Sequence, residues 1–162
     1  MDKENFLEAF YGCESMAQER KEKLPANPIE AQGLLIKAFY KKFGKEALPI
    51  IKEILTLQGR ALGLRIKKKL ADNRLSTVAN AFSKSFDPAF VQIISISDEK
   101  FHIQGTKCPF GLENTSRELC EAVMAIDSEY FLTATDGKTR LEILRTVAEG
   151  DSLCDTRYSI KE

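Results

Sequence analysis

Apolar positions recur at helical spacing through the first half of the chain and alternate in the second. From about Lys3 to Lys23, Phe6, Phe10, Cys13 and Ala17 form one stripe of a charged amphipathic helix that Pro25 ends. Asn27-Pro28-Ile29-Glu30 then opens a second helix, with Asn as cap, Pro at the first position and Glu at the third. Its stripe of Ala31, Leu34, Leu35, Ala38 and Phe39 is expected to face inward, and it stops at Gly44. A long helical pattern follows from Lys45 to about Leu70, with Pro49 tolerable near its first turn. Gly59 and Gly63 lie four apart on one face of it. Since glycine costs about 1 kcal/mol in a helix interior, the pair points to close approach of another helix or of a ligand. A short helix spans Ser76 to Ser85.

After Phe86-Asp87-Pro88 the pattern changes to strands. Val91 to Ser97 is β-branched, Ser97-Asp98-Glu99-Lys100 turns, and Phe101 to Thr106 completes a hairpin. A helix from near Asn114-Thr115-Ser116 to about Phe131 follows, capped by Asn114 or Thr115. Leu141 to Ala148 and Leu153 to Ile160 flank Glu149-Gly150-Asp151-Ser152 as a second hairpin. This order predicts one α+β domain over residues 1–162. N-terminal helices (about 1–85) pack on a four-stranded, largely antiparallel sheet, made of two hairpins flanking a helix (about 86–162).

Period-two geometry puts His102, Gln104, Thr106 and, by extension, Cys108 on one face of the second strand, and Phe101, Ile103 and Gly105 on the other. In the last strand Cys154, Thr156 and Tyr158 share a face, which is predicted to point inward, while Asp155, Arg157 and Ser159 point the other way. On the intervening helix Cys120, Val123, Met124 and Asp127 form one stripe, and the apolar members mark it as buried. A carboxylate there needs a partner or a proton. Cys13 reads as a space-filling thiol. Cys108, Cys120 and Cys154 either do the same or meet as a site. With His102 or Asp127 the three thiolates would make a tetrahedral zinc set, although no Cys-x-x-Cys pair exists. Alternatively, one thiol attacks an electrophilic carbon while an acid protonates the leaving group, and a Cys108–His102 pair is sterically compatible with this.

Charge and composition narrow the classes. Lys+Arg and Asp+Glu are 24 each, and zero net charge argues against a nucleic-acid binder. The basic run Lys67-Lys68-Lys69, with Arg60 and Arg65, reads as a solvated helix face. The start is charged, with no signal peptide, and no apolar run approaches the roughly 20 residues of a membrane span. The expected location is the cytoplasm, where four cysteines are free thiols, ligands or nucleophiles rather than disulfides. Apolar surface on the first helix would support a homodimer, and intramolecular packing explains the same stripe equally well.

Three segments together resemble the L-2-amino-thiazoline-4-carboxylic acid hydrolase family. They are Lys107-Cys108-Pro109 with Glu118-Leu119-Cys120 and Asp127; the ending Thr146 to Tyr158; and Phe43-Gly44-Lys45-Glu46-Ala47 with Gly59 and Gly63. The resemblance covers roughly residues 30 to 160, and Gly-Asp-x-x-Cys-Asp is its most specific element. The ending is also similar to that of four-vinyl-reductase-type small-molecule binding domains. Thr156 stands where the family ending usually carries an aromatic residue. The resemblance implies water-driven opening of a thiazoline ring. Cys108 or Cys120 would add to the amidine carbon, with Cys154 completing the thiol set. Asp127 would protonate the ring nitrogen or activate water, and Tyr158 or His102 would hold the substrate. Two other readings compete with this hydrolase: a module binding a small apolar molecule or metal cofactor, and a carbon–metal bond lyase in which thiols hold a soft metal and Asp127 delivers the proton.

Overall fold

The computed structural model describes residues 24–161, so the helix expected over Lys3 to Lys23, with Cys13, lies outside the described residues. Helix α1 spans Pro28–Phe43, and the Asn27 side chain caps it by accepting hydrogen bonds from the Ile29 and Glu30 N–H groups (2.9 and 3.0 Å). Gly44, at φ 60°, ends it in a conformation that suits glycine. A 3₁₀ turn at Gly44–Glu46 replaces the first turn of the expected long helix, and α2 runs over Ala47–Lys67. Helix α3 is Leu75–Ser83. Strands β1 (Val91–Ile96) and β2 (Lys100–Gly105) form the first hairpin.

The single helix expected after it is interrupted at Met124, giving α4 (Arg117–Val123) and α5 (Ala125–Ala134). Ser116, not Asn114 or Thr115, caps α4: its hydroxyl accepts from the Leu119 N–H (3.1 Å). Asn114 cannot take that role because its backbone is left-handed, at φ 56°. Strand β3 (Thr139–Arg145), a 3₁₀ turn at Val147–Glu149 and β4 (Cys154–Ile160) complete the chain. The sheet order is β1-β2-β4-β3 with every pair antiparallel, so the two hairpins join through β2 and β4. The α+β architecture is therefore the one the pattern implies. Among the described residues no helix is long and apolar enough to cross a membrane.

One sheet face carries Phe101 and Tyr158, both fully buried, and Phe131 of α5 packs on them with ring centroids 5.7 and 4.2 Å away. Leu75, Val78 and Ala79 of α3 close this core. A second core joins Ile51 and Leu55 of α2 to Leu119, Cys120 and Val123 of α4. The two glycines of α2 explain how its backbone reaches α5. A Cβ at Gly59 would lie 2.2 Å from the Ile126 carbonyl oxygen, and one at Gly63 would lie 2.7 Å from that of Tyr130. Close helix packing, rather than a ligand, is what this pair serves.

The expected inward stripe of α1 is wrong. Gly33 and Ile36 are its buried residues, while Leu34 and Leu35 are 46% and 70% exposed. The cause is again backbone contact: a Cβ at Gly33 would lie 1.9 Å from the Phe110 carbonyl oxygen. Helix α1 therefore seats its glycine on the loop after β2 and turns Leu34 and Leu35 outward.

Candidate functional site

A cleft of about 810 Å³ opens between α1, α2, the segment after α3, the β2–β4 face and the loop after β2. Its walls are mostly apolar, including Ile66, Phe82, Phe86, Ile103 and Met124. Three of the residues singled out from the sequence line it: Cys108, Cys154 and Asp127.

Asp127 reaches the cleft because α5 lies tight on α2 through Gly59 and Gly63, on either side of its level. Burial pushes its carboxyl up to about 6, opposed by one hydrogen bond in which the Tyr158 hydroxyl donates to Oδ2 (3.2 Å). Tyr158 is fully buried beneath the cleft, and burial together with the Asp127 charge holds its phenol well above the ordinary range. It stays a donor at any physiological pH. Tyr130 lines the cleft beside this pair, and burial, then the Asp127 charge, pushes its phenol up to about 12.

The Gly-Asp-x-x-Cys-Asp ending gives each residue a structural task. Gly150 turns at φ 99°, and the Asp151 carboxylate accepts from the Thr146 N–H (2.9 Å), which fixes the loop into β4. Cys154 then pairs with Gly105 across the ladder and faces the cleft, while Asp155 faces the other side of the sheet. There the Asp155 carboxylate meets His102 (2.6 Å), Gln104 (2.9 Å) and Arg145 (3.1 Å). Burial works against its charge, but these hydrogen bonds win and hold the carboxyl below its ordinary value.

The three thiols are free rather than paired in a disulfide, but they are not equivalent. Cys108 sits in the loop after β2, half-buried at the cleft, and burial pushes its thiol up. Cys120 lies behind the wall, where the Thr146 hydroxyl donates to its sulfur (3.2 Å). Burial pushes its thiol up to about 11. Neither is an activated thiolate near neutral pH.

The structure brings together Cys108, Cys154, Asp127 and, beneath them, Tyr158. It does not bring His102 to them, because β2 turns that side chain to the opposite sheet face. The proposed Cys108–His102 pair is thus not formed. Nor is the tetrahedral thiolate set: among the described residues no three His, Cys, Asp or Glu side chains are placed to hold a metal ion. The sequence reading missed Tyr130 and the exposed cations Arg65, Lys69 and Lys107 at the cleft. Arg65 and Lys69 are spaced i, i+4, so the basic run that reads as a solvated face also reaches the cleft.

Comparison with known proteins settles the family. The model of the L-2-amino-thiazoline-4-carboxylic acid hydrolase family matches residues 27–158. The chain belongs to that family. No curated protein matches it. Among solved structures it is similar to a trafficking protein particle complex subunit 3 from Naegleria fowleri, a structure described as covalently bound to palmitic acid. The TM-score is 0.55 at 13% identity, over 83% of this chain and 95% of that one. At that identity the likeness is one of fold. This member of the hydrolase family thus sets Cys154 of its Gly-Asp-x-x-Cys-Asp ending against an apolar cleft, with Asp155 on the opposite face of the sheet.

Proposed function

We propose that the chain hydrolyses a C–N or C–S bond in a small cyclic amidine or thiazoline-like substrate bound in this cleft, with Asp127 as its general acid and base. The observation that carries the reading is a carboxyl pushed up to about 6 in an apolar cleft, where it exchanges protons near neutrality. As a carboxylate, Asp127 takes a proton from water while the water oxygen bonds to the amidine carbon. It then returns that proton to the ring nitrogen or sulfur as the ring bond breaks. Tyr158 holds Oδ2 and keeps the carboxyl oriented. Arg65, Lys69 and Lys107 at the mouth suit a substrate carboxylate. Protonated thiols at Cys108 and Cys120 favour water over sulfur as the attacking group.

The test is turnover of 2-amino-thiazoline-4-carboxylate, followed by mass spectrometry of the ring-opened product. Asp127→Asn is expected to lower kcat by at least about a hundredfold, the low end for a general acid–base group. Cys108→Ser is expected to retain most activity. Full activity in Asp127→Asn sinks the assignment.

A second reading has its own support. The walls are apolar, and the subunit of similar fold carries palmitic acid covalently. On this reading the cleft binds an acyl chain, with Cys108 or Cys154 beside it. Mass spectrometry of the protein after exposure to an activated palmitoyl donor separates the two: a stable adduct without turnover favours binding over hydrolysis.

A further inference from the structure

The two edges of the sheet differ in chemistry. Strand β3 carries Arg140, Glu142 and Arg145, charges of the kind that keep an edge from pairing with another chain. Strand β1, at the other edge, reads Val91-Gln92-Ile93-Ile94-Ser95-Ile96 and carries no charge. Among the described residues no strand lies beyond it, and Ile93 and Ile94 are each 43% exposed. An uncharged, β-branched strand with a free backbone edge is a template for another strand.

The order of residues on β1 is the same from either end: apolar, polar, apolar, apolar, polar, apolar. In a regular strand an even-length run of this kind cannot pair with a copy of itself, because its matching positions lie on opposite faces. The bulge in β1 removes that obstacle. Ile94 is the extra residue between Ile93, which pairs with Ile103, and Ser95, which pairs with His102. Since cross-strand neighbours share a face, Val91, Ile93 and Ile96 lie on the inner face with Ile103 and Phe101. Gln92 and Ser95 lie on the outer face with Gln104 and His102.

We propose that the occupant of this edge is a second copy of the chain, its β1 antiparallel to the first about a two-fold axis between Ile93 and Ile94. Val91 then pairs with Ile96 of the second copy, Gln92 with its Ser95, and Ile93 with its Ile94. Apolar residues meet on the inner face, and amide meets hydroxyl on the outer one. The charges agree with this register. The Thr106 N–H donates to the Phe90 carbonyl (2.9 Å), which sets Lys107 level with Ala89. The same two-fold brings Asp98 of the second copy to that level, so an exposed cation and an exposed carboxylate meet at each end of the joint. On its own chain Lys107 has only Glu30 at 3.7 Å as an ion-pair partner, and Asp98 has Arg74 at 3.5 Å and the Ser76 hydroxyl.

Such a dimer is closed. Each β1 edge covers the other, and the edges left at the two ends of the joined sheet are the charged β3 strands, so no further copy is added. The joint also touches the cleft. Phe90 and Val91 line it at one end of the edge, so the second copy's Ile96 adjoins the cleft wall beside Val91.

The experiment is sedimentation equilibrium of the full chain from micromolar to submillimolar concentration. Ile94→Lys alters the edge, and Leu57→Lys, at an exposed apolar position of α2, is the control. The unaltered chain and the α2 variant are expected to dimerise alike. Ile94→Lys is expected to weaken association at least about tenfold, because two like charges then meet at the axis. Thermal unfolding at low concentration reports whether that variant folds, and the register is read independently from the double variant Gln92→Cys, Ser95→Cys. Under mild oxidation peptide mapping is expected to show a covalent dimer linked from 92 to 95, which neither single substitution forms. Three residues apart on one extended strand, the two positions are roughly 10 Å from each other and cannot link within a chain. A monomer at every concentration would overturn the proposal. So would a dimer that Leu57→Lys abolishes and Ile94→Lys keeps, or the absence of the 92-to-95 link.

Discussion

Replacing Asp127 by Asn should make the protein more stable at neutral pH, while removing the group proposed for catalysis. The carboxyl has an ordinary value of 3.8 and is pushed up to about 6 by burial, so the folded state holds its proton where the unfolded state has lost it. Below 3.8 both states are protonated and the group contributes nothing to the balance. As pH rises from 3.8 towards 6 the unfolded state ionises first, and stability falls. Above about 6 the full penalty is present. At about 1.4 kcal/mol per pH unit, the gap amounts to about 3 kcal/mol. Asparagine is nearly isosteric, carries no charge and still offers an oxygen to the Tyr158 hydroxyl. Urea unfolding of both proteins at intervals from pH 3.5 to 8 measures the difference, in which the other titrating groups cancel. The variant is expected to match the wild type near pH 3.5 and to exceed it by up to about 3 kcal/mol at pH 8. A difference that does not change with pH, or an Asn variant less stable at pH 8, would refute the burial argument. The reasoning that makes this carboxyl suited to proton transfer would go with it.

Three further outcomes are expected. Gly59→Ala should cost about 1–3 kcal/mol in urea unfolding despite the better helix propensity of alanine, because its Cβ meets the Ile126 carbonyl oxygen at 2.2 Å; a neutral or stabilised variant would mean that α2 and α5 separate freely. Asp155→Ala should cost about 2 kcal/mol at pH 7 through its lost bonds to His102, Gln104 and Arg145. Since that carboxyl is held below 3.8, its contribution is present above that pH and fades below it, so the gap between the two proteins should narrow in acid unfolding curves. At pH 7, iodoacetamide should modify Cys120 at least about a hundredfold more slowly than an unperturbed thiol, because a thiol pushed from 9.0 to about 11 has that much less thiolate; fast labelling mapped to Cys120 would show that its sulfur is not buried.

The strands were legible because their signal is local. Alternation in β4 puts Cys154 and Tyr158 on the inner face and Asp155 on the outer one, and pairing with β2 leaves that assignment unchanged. The same rule, read with care, also places His102 away from Cys154, since Ile103 and Gly105 share the inner face with it. Extending the alternation beyond Gly105 to Cys108 was the error, because the chain leaves the strand there and the loop, not the pleat, aims that thiol. The helices were harder to read for a different reason. A hydrophobic stripe marks the face that seeks cover, whereas Gly33 shows that the face of α1 which meets the protein is chosen by backbone approach. Leu34 and Leu35, which their spacing marks for burial, are left exposed for that reason.

The position of Asp127 follows from features that carry no chemistry themselves. Without Gly59 and Gly63, the backbone of α5 stands off from α2, and the carboxyl between Ile126 and Tyr130 loses its level against the sheet. Without the ladder register that pairs Tyr158 with Phe101, the phenol beneath the cleft loses its line to Oδ2. Burial of the carboxyl and the Tyr158 hydrogen bond that orients it therefore come from two separate packing contacts, one helix on helix and one helix on sheet. A lesion in either should move the acidity of Asp127 in opposite senses. Loosening α2 from α5 admits water and lowers its pKa, whereas Tyr158→Phe removes a donor that favours the charged form and raises it. Activity profiles against pH for Gly59→Ala and Tyr158→Phe should then shift to lower and higher pH respectively. Shifts in the same direction would mean that one environment, not two, sets the carboxyl's acidity.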